Sequence, residues 1–375
     1  MTAPPPSHTP PPLPATSGLP AVDAEALLGM YREMLRIRRL EELAAKAYTQ
    51  RKILGFCHLY IGQESVAVGA AAATRDDDYW LAAYREHGHA MAKGVSSRSV
   101  MAELYGKATG SSKGHGGSMH IFDKDARFLG GYGIVGGHVP LANGIGWAIR
   151  ARGDDSVCVC YFGDGAAHQG AFFEALCLAQ LYRLPVIFIC ENNFYAMGTS
   201  IHRQSALTDM SQRAAGVGMA HESFEAFDAE VVREKVGRAA AYARAGNGPV
   251  LLEAVTYRYR GHSMSDPAKY RPTGELAEVK ESDPLKITRK RLEDDFGITA
   301  EQFDAIKASV EEECQDAAKF AEESPIPDEA ALYDYTYAPQ DTSMGVGDDA
   351  PTFQYDKPST VFVPGFERPD AKEGA

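Results

Sequence analysis

The chain has 375 residues, of which 45% are hydrophobic and 24% charged, and its 38 basic and 51 acidic side chains give a formal net charge of −13. Nucleic acids and anionic membranes attract proteins through a positive field, so this charge excludes both as general partners of the surface. The sequence also contains no apolar run close to the roughly 18 residues that a membrane-spanning helix needs. The composition is that of an ordinary globular protein.

The two ends of the chain differ in composition from the middle. Residues 1–22 contain eight prolines and no formal charge, which predicts a disordered Pro-rich arm. Residues 337–375 are rich in Pro, Gly and Asp with scattered aromatic residues, which predicts an extended acidic tail whose aromatic side chains suit docking on a partner. Residues 23–336 lie between them and are predicted to form one large α/β domain.

Hydrophobic periodicity predicts the elements of that domain. Asp23 is a suitable N-cap for a helix whose apolar residues recur at helical spacing through Leu43. Further helices are predicted at residues 63–74, 97–107, 138–152, 169–182, 229–245, 284–296 and 300–321. Strands are predicted at residues 157–162, 186–190 and 250–256. This alternation predicts an α/β fold with a parallel sheet, helices on both faces, and ligands beyond the carboxyl ends of the strands.

The cysteines and the N-terminal segment indicate the cellular compartment of the protein. The six cysteines form no CxxC pair and no Cys/His cluster at metal-ligand spacing, which favours a reducing compartment. A signal peptide requires a positively charged segment followed by an apolar core, and the N-terminal residues show neither. The first arginine is Arg32, which also disfavours an Arg-rich transit peptide. The sequence therefore predicts a cytoplasmic protein.

The segment Gly163-Asp164-Gly165-Ala166 stands between a predicted strand and a predicted helix. Glycines at such a turn let backbone amides and a helix N-terminus approach a phosphate. Asp164 would repel that phosphate unless it binds a divalent metal that bridges the two. Taken alone, the segment fits equally well with a plain turn in which Asp164 caps the helix.

A second segment, residues 191–195, follows the next predicted strand and favours the metal. Asn193 falls at the carboxyl end of a neighbouring strand, and we expect it to lie close to Asp164. A carboxylate, an amide oxygen and a backbone carbonyl are hard ligands that leave octahedral positions of Mg²⁺ for diphosphate and water. With GDG at 163–165 and NN at 192–193, the pattern resembles the signature of thiamine diphosphate enzymes.

The resemblance becomes specific when other segments are added. They are residues 56–60, 83–85, 113–120, 133–136 and 257–267. From about residue 30 to 335 the chain resembles the alpha-subunit family of pyruvate dehydrogenases, which are thiamine diphosphate-dependent 2-oxo acid dehydrogenases. The resemblance implies a thiamine diphosphate-binding fold, in its diphosphate-binding half, with thiamine diphosphate and Mg²⁺ as cofactors.

The same resemblance implies an activity and partners. The family oxidatively decarboxylates pyruvate and reductively acetylates the lipoyl group of a dihydrolipoyl acetyltransferase core in a multienzyme complex. The carboxylate that activates the aminopyrimidine would come from a beta subunit, because this chain holds no second α/β unit of adequate length. We therefore expect an α₂β₂ heterotetramer and an inactive isolated chain.

The functional residues of the family carry over onto matching positions of this sequence. The implied ligands of Mg²⁺ are Asp164, Asn193 and the carbonyl of Tyr195. Residues implied to line or contact the diphosphate are Gly163, Gly165, Ala166, Tyr84, Arg85 and Arg258. Gly133 and Val135 would present backbone groups to the aminopyrimidine. The implied catalytic residues are His58, facing the substrate, and His262, near the cofactor phosphate and reaction centre.

Departures and alternatives accompany this assignment. His168 stands where the family often has Asn, and Glu86 adds an acidic group next to Arg85. Acetoin dehydrogenase and branched-chain 2-oxo acid dehydrogenase alpha subunits are the alternative members. The loops at 113–120 and 260–267 favour pyruvate over the branched-chain acids, whereas acetoin dehydrogenase alpha subunits share GDGA and the glycine-rich loop and are the nearest alternative. Ser263 and Ser200 match positions phosphorylated in eukaryotic relatives, but we favour ordinary loop serines.

Two hypotheses come from other functional classes. Residues 131–136 spell the dinucleotide fingerprint GxGxxG, which would suit a nicotinamide-dependent oxidoreductase. No strand is predicted before Gly131, and the acidic pair Asp154 and Asp155 precedes a strand rather than ending one, so a loop is favoured. A non-catalytic scaffold subunit is disfavoured because Asp164, Asn193 and His262 are all present.

Overall fold

A computed structural model of the protein describes residues 10–333, and the predicted acidic tail lies outside them. The α-helices are α1 Ala24–Thr49, α2 Glu64–Ala71, α3 His87–Ala92, α4 Ser97–Leu104, α5 Val139–Arg152, α6 Gly170–Leu181, α7 Ile201–Gln204, α8 Ala229–Arg244, α9 Glu275–Val279, α10 Pro284–Phe296 and α11 Ala300–Glu323. The strands are β1 Tyr79–Ala83, β2 Phe128–Tyr132, β3 Cys158–Gly163, β4 Val186–Asn192, β5 Tyr195–Ala196, β6 Thr199–Ser200, β7 Ala220–Glu225 and β8 Val250–Val255.

Six of the strands form one sheet in the order β2-β1-β3-β4-β8-β7, and every neighbouring pair is parallel. Strands β5 and β6 form a separate antiparallel hairpin. The chain leaves β1 for β2 on one side and then crosses to β3 on the other, so its direction of winding reverses between β1 and β3. Ligands of open parallel sheets bind in the crevice at such a reversal, beyond the carboxyl ends of the strands.

The sheet separates two cores because successive side chains of a strand point to opposite faces. In β3, Val159 and Tyr161 pack into the larger core, which contains residues of α1, α2 and α8. Cys158, Cys160 and Phe162 pack into the other core, against α5 and α6. Since both faces are covered, the central strands β1, β3, β4 and β8 are mostly apolar, whereas the edge strand β7 carries exposed polar residues. The predicted α/β fold with helices on both faces is confirmed.

Local sequence signals set several helix ends. The side chain of Asp23 accepts a hydrogen bond from the amide of Ala26 at the start of α1, so the predicted N-cap is confirmed. At the start of α11, Thr299 and Gln302 form a reciprocal capping box. Gly153 ends α5 in a left-handed conformation, which glycine adopts at little cost.

Five strands and three helices were not predicted, namely β1, β2, β5, β6, β7, α3, α7 and α9. The prediction that no strand precedes Gly131 is wrong, because Gly131 lies within β2 at the edge of the sheet. Its parallel pairing with β1 holds this glycine-rich segment extended despite its low strand propensity. The other part of that argument holds, since Asp154 and Asp155 precede β3.

The chain divides into two compact units, residues 1–326 and residues 327–375. In the first unit, residues 10–22 form no helix or strand, but the amide of Ser17 donates to Glu234 of α8 (2.8 Å) and Leu19 lies against Gly237. In the second unit, the described residues include a short 3-10 helix, Glu329–Tyr333. The predicted division into arm, domain and tail stays a prediction.

Candidate functional site

Most of the predicted site residues follow the carboxyl ends of strands in the sheet. Tyr84 and Arg85 come directly after β1, Asp164 after β3, and Asn193 after β4. Arg258 lies three residues beyond the end of β8. The register pairs Gly163 of β3 with Glu191 of β4 and brings these strand ends together at one edge. The sheet therefore gathers side chains that are far apart in the sequence.

Asp164, Asn193, Tyr195 and Arg258 form a buried oxygen cluster at this edge. Arg258 Nη1 donates to Asn193 Oδ1 (3.0 Å) and to the carbonyl of Tyr195, so these two oxygens converge on one point. Asp164 is 1% exposed. Burial raises the pKa of Asp164, while hydrogen bonds from Gln204 and the Asn193 backbone and the charge of Arg258 oppose that rise. The predicted proximity of Asp164 and Asn193 is therefore observed.

This oxygen cluster fits a divalent cation. A carboxylate, an amide oxygen and a carbonyl are the ligand types that Mg²⁺ takes while keeping positions for water and phosphate oxygens. The described residues contain no group of three or more His, Cys, Asp and Glu suited to a metal, so the candidate is a mixed oxygen site. Arg258 Nη1 occupies the point of convergence, and a cation bound there would require this guanidinium to move away.

Two glutamines that the sequence analysis missed orient the oxygen cluster. Gln63 accepts a hydrogen bond from Asn193 Nδ2 (3.0 Å), which turns the Asn193 oxygen toward Arg258. Gln204 of α7 donates to Asp164 Oδ2. Both contacts join distant parts of the chain, and neither glutamine carries a local pattern that could have revealed it.

The turn that carries the cluster is held by a second buried carboxylate. Glu253 of β8 accepts hydrogen bonds from Asn192 Nδ2 (2.7 Å) and from the amide of Met210 (3.0 Å). Asn192 Oδ1 in turn accepts from the amide of Phe194 (3.1 Å), which has a φ of 67°. A bulky residue rarely adopts this left-handed conformation, and such strain is often found at functional turns.

A second cluster brings His58, Tyr84 and His262 into contact. The ring centroid of His58 lies 4.7 Å from that of Tyr84 and 5.1 Å from that of His262. Arg85 links this cluster to the backbone by donating to the carbonyls of Leu59 (2.8 Å) and His262 (2.7 Å). The two predicted catalytic histidines are thus neighbours although they lie on different loops.

Both histidines are neutral at neutral pH. Burial and the positive charge of Arg85 lower the pKa of His58 to about 2. Burial, Arg85 and Arg258 lower the pKa of His262 to about 4. Among the described residues, no hydrogen-bond partner contacts His58 Nδ1, which is buried. A neutral imidazole with a free ring nitrogen can accept or donate one hydrogen bond to a ligand.

The predicted diphosphate turn leaves room beside its backbone. A Cβ atom built on Gly163 would meet no atom within 4 Å, so one side of this residue is open. A Cβ atom on Gly165 would lie 2.8 Å from the Cβ of Ala196, so only glycine permits the close approach of that strand. Ala166 is 3% exposed and begins a short 3-10 helix that leads into α6.

The glycine-rich loop after β2 lies against the same turn. A Cβ atom on Gly136 would be 3.0 Å from Gln169 and 3.5 Å from the carbonyl of Ala166. Val135 is 42% exposed, and Gly133 lies beside the ring of His120. The assignment of Gly133 and Val135 to an aminopyrimidine stays a prediction.

The remaining residues singled out in the sequence are Ser263, Ser200, His168 and Glu86. Ser263 is 6% exposed and its Oγ lies 2.9 Å from that of Ser265, while Ser200 is half-buried at the start of α7. His168 is exposed and lies 3.2 Å from Arg213. Glu86 is fully buried, and burial raises its pKa to about 8. Of these residues, Ser200 adjoins the oxygen cluster, because it pairs with Tyr195 in the β5–β6 hairpin.

Comparison with known proteins identifies the family. The model of the family described as "Dehydrogenase E1 component" matches residues 32–330. The chain belongs to the dehydrogenase E1 component family. The family predicted from the sequence is therefore confirmed, and the match spans both clusters.

Individual relatives of this E1 component are similar over most of their length. "Pyruvate dehydrogenase E1 component subunit alpha" of Rhizobium meliloti (strain 1021) is 49% identical over 307 residues, covering 82% of this chain and 88% of the relative. The protein of the same name from Zymomonas mobilis is 47% identical over 332 residues, covering 88% and 92%. The somatic mitochondrial form from Bos taurus is 46% identical over 302 residues, covering 80% and 76%. Within residues 10–333, no helix is both long and apolar enough to cross a membrane.

Proposed function

We propose that this chain is the alpha subunit of a pyruvate dehydrogenase E1 component. With thiamine diphosphate and Mg²⁺ it oxidatively decarboxylates pyruvate and reductively acetylates the lipoyl group of dihydrolipoyl acetyltransferase. The observation that carries the proposal is the convergence of the Asn193 and Tyr195 oxygens on one point near the buried carboxylate of Asp164. The names of the relatives support pyruvate as the substrate.

In this proposal the oxygen cluster holds the metal. Asp164, Asn193 and the Tyr195 carbonyl bind Mg²⁺, whose charge offsets both the carboxylate and the diphosphate. The residues that line or contact the diphosphate are Gly163, Gly165, Ala166, Tyr84, Arg85 and Arg258. Gly133 and Val135 receive the aminopyrimidine. When Arg258 leaves the point of convergence, its guanidinium becomes available to a phosphate, which it matches in geometry.

In this proposal the second cluster, formed by His58, Tyr84 and His262, contacts the substrate. Bound thiamine diphosphate supplies the electron sink that allows a 2-oxo acid to lose carbon dioxide. His58 and His262 are uncharged at neutral pH because they are buried beside arginines, so either ring can hold or pass a proton at one nitrogen. Nδ1 of His58 is buried without a partner among the described residues, and we expect this atom to contact a substrate oxygen.

The assembly completes the site. We place the chain in an α₂β₂ heterotetramer with a beta subunit, attached to a dihydrolipoyl acetyltransferase core. A location in the cytoplasm is supported by six cysteines that are all unpaired within the described residues. Ser263 and Ser200 serve as ordinary loop residues.

The test is co-expression with a candidate beta chain, followed by turnover assays of the purified complex. Pyruvate, branched-chain 2-oxo acids and acetoin are compared, with an artificial electron acceptor and with thiamine diphosphate and Mg²⁺ present. We expect the highest kcat/KM with pyruvate and no turnover by the isolated chain. Preference for acetoin or a branched acid would replace the substrate assignment, and robust turnover without a partner would refute the need for a beta subunit.

A further inference from the structure

The backbone that carries His58 is tied down at three consecutive residues. In segment 58–60, the first amide donates to Ser118 Oγ (3.0 Å) and the third amide donates to Glu41 Oε1 (3.0 Å). Between them, the carbonyl of the second residue accepts from Arg85 Nη1 (2.8 Å). These partners come from α1, from the end of β1 and from the glycine-rich loop, so the segment is held from three directions.

His87 of α3 joins two of those partners to each other. Its Nδ1 lies 3.0 Å from Glu41 Oε1, and its Nε2 lies 2.9 Å from Ser118 Oγ and 3.0 Å from the Ser118 carbonyl. Glu41 and His87 are each 1% exposed, and Ser118 is 5% exposed. Glu41, His87, Ser118 and segment 58–60 therefore close a buried ring of hydrogen bonds, which we call the His58 clamp.

The contacts require a particular protonation of His87. A carbonyl oxygen only accepts, so the contact with the Ser118 carbonyl needs a proton on Nε2, and the contact with the Glu41 carboxylate needs one on Nδ1. Burial lowers the pKa of His87, but the charge of Glu41 and the hydrogen bond to it outweigh burial and raise it. The contacts at both ring nitrogens and the raised pKa of His87 favour an imidazolium paired with Glu41, unlike the neutral ring of His58.

Packing alone does not explain a buried ion pair at this place. Removing two charges from water is costly, and apolar side chains of similar volume often serve stability equally well. What apolar side chains cannot provide is a set of acceptors at fixed positions for the amides of residues 58 and 60. The ion pair therefore provides a fixed position for the backbone of His58.

We propose that Glu41, His87 and Ser118 are positioning residues that hold His58 in place for its role toward the 2-oxo acid. The inference rests on the proposed function, since that function gives His58 the substrate. The clamp contains none of the residues assigned to Mg²⁺ or diphosphate. Weakening the His58 clamp should lower kcat/KM for the 2-oxo acid and leave the affinity for thiamine diphosphate unchanged.

The test compares Ser118→Ala, Glu41→Leu and Glu41→Gln in the complex with the beta chain. Ser118→Ala and Glu41→Leu remove an acceptor, and we expect kcat/KM for the 2-oxo acid to fall about 10- to 100-fold, as for a displaced reacting group. Glu41→Gln keeps an oxygen that can accept from Tyr60 and His87, so it should restore most of that loss. The dissociation constant of thiamine diphosphate should stay within about twofold in all three, because no ligand is removed.

A matched control separates positioning from general destabilisation. Asp78 is another fully buried carboxylate with three hydrogen bonds, but it lies at the amino end of β1. Asp78→Asn should lower the melting temperature and leave the KM for the 2-oxo acid unchanged. If Ser118→Ala and Glu41→Leu alter kcat/KM no more than Asp78→Asn does, the positioning role is refuted.

Hydrogen exchange of residues 57–61 provides a readout independent of turnover. Ser118→Ala and Glu41→Leu should accelerate exchange in this segment, whereas Glu41→Gln and Asp78→Asn should leave it slow. If the wild-type complex turns over no 2-oxo acid, the proposed function fails, but the exchange pattern still tests the clamp. Unchanged exchange in both acceptor-removing variants would overturn the clamp itself.

Discussion

The two ends of the parallel sheet differ in how completely the buried charged side chains are hydrogen-bonded. At the amino end, both oxygens of Asp78 are bonded, one to the amide of Val157 (2.8 Å) and the other to the amide of Arg75 (2.7 Å) and the side chain of Arg244. At the carboxyl end, buried polar atoms lack partners among the described residues. They are His58 Nδ1, Gln63 Nε2, Glu86 Oε2 and Arg258 Nε.

The difference distinguishes buried polar groups that stabilise the fold from those that serve function. A buried polar atom without a partner costs free energy, so proteins keep few of them. At the amino end the carboxylate of Asp78 meets this requirement within the chain, because it only has to anchor β1. The carboxyl end leaves it unmet at several atoms, which is the expected condition of a surface that a ligand or a partner subunit completes.

Substitution of Asp164 should break the carboxyl end most severely. Asp164→Asn keeps the size of the side chain and removes its charge, so the proposed metal site would lose its only charged protein ligand. Since changes in the surroundings of metal ligands already cost about 10- to 100-fold, we expect affinity for thiamine diphosphate with Mg²⁺ to fall more than about 100-fold. Isothermal titration of the assembled complex measures this. Affinity within a few-fold of wild type would remove Asp164 from the metal site.

The reciprocal change at the amino end should affect stability alone. Asp78→Asn leaves Arg244 without its partner, and we expect the free energy of unfolding to fall by about 3 kcal/mol, as when a buried ion pair is broken. Denaturant unfolding measures the loss, and titration with thiamine diphosphate and Mg²⁺ should give the wild-type affinity. A large loss of cofactor affinity would show that the two ends are not independent.

Acidification should act through the carboxyl end, and the part of it that His262 alone contributes should be the smallest of these effects. His262 has a pKa of about 4 in the folded protein, against 6.5 for an ordinary histidine. As pH falls from about 6.5 toward 4, the unfolded chain takes up a proton that the folded chain does not, so stability declines over that window. The denaturation midpoint should therefore drop between pH 7 and 5. In His262→Gln the drop should be shallower, and an identical slope would contradict the buried neutral ring.

Part of the fold could be predicted because its sequence pattern is local. Strands β3, β4 and β8 are short apolar runs, and α8 and α11 show helical spacing over several turns. Strand β1 was missed because its apolar run is shorter and ends in two alanines, and β2 was missed because it contains two glycines; both residue types are uncommon in strands. Their extended shape comes from parallel pairing with each other and, for β1, with β3, which no window of sequence displays.

The residues of the candidate site also differ in whether a local sequence pattern reveals them. Asp164 and Asn193 stand out because each follows an apolar strand, and Arg258 and His262 come from a recognisable segment. Gln63, and His87 with its partner Glu41, carry no such signal. Their importance depends on contacts between elements that are distant in sequence, and only the folded chain shows them.

The contact between the carbonyl of Ile61 and the amide of Tyr259 (2.8 Å) affects how the protein folds. It joins a segment before the first strand to the loop after the last one, so the complete site requires almost the whole domain. Contacts of such long sequence separation form slowly, because chain entropy must be lost before they are gained. During synthesis, strands β1, β3 and β4 are made well before residues 257–271. We expect the nascent chain to need a chaperone or early pairing with its partner subunit.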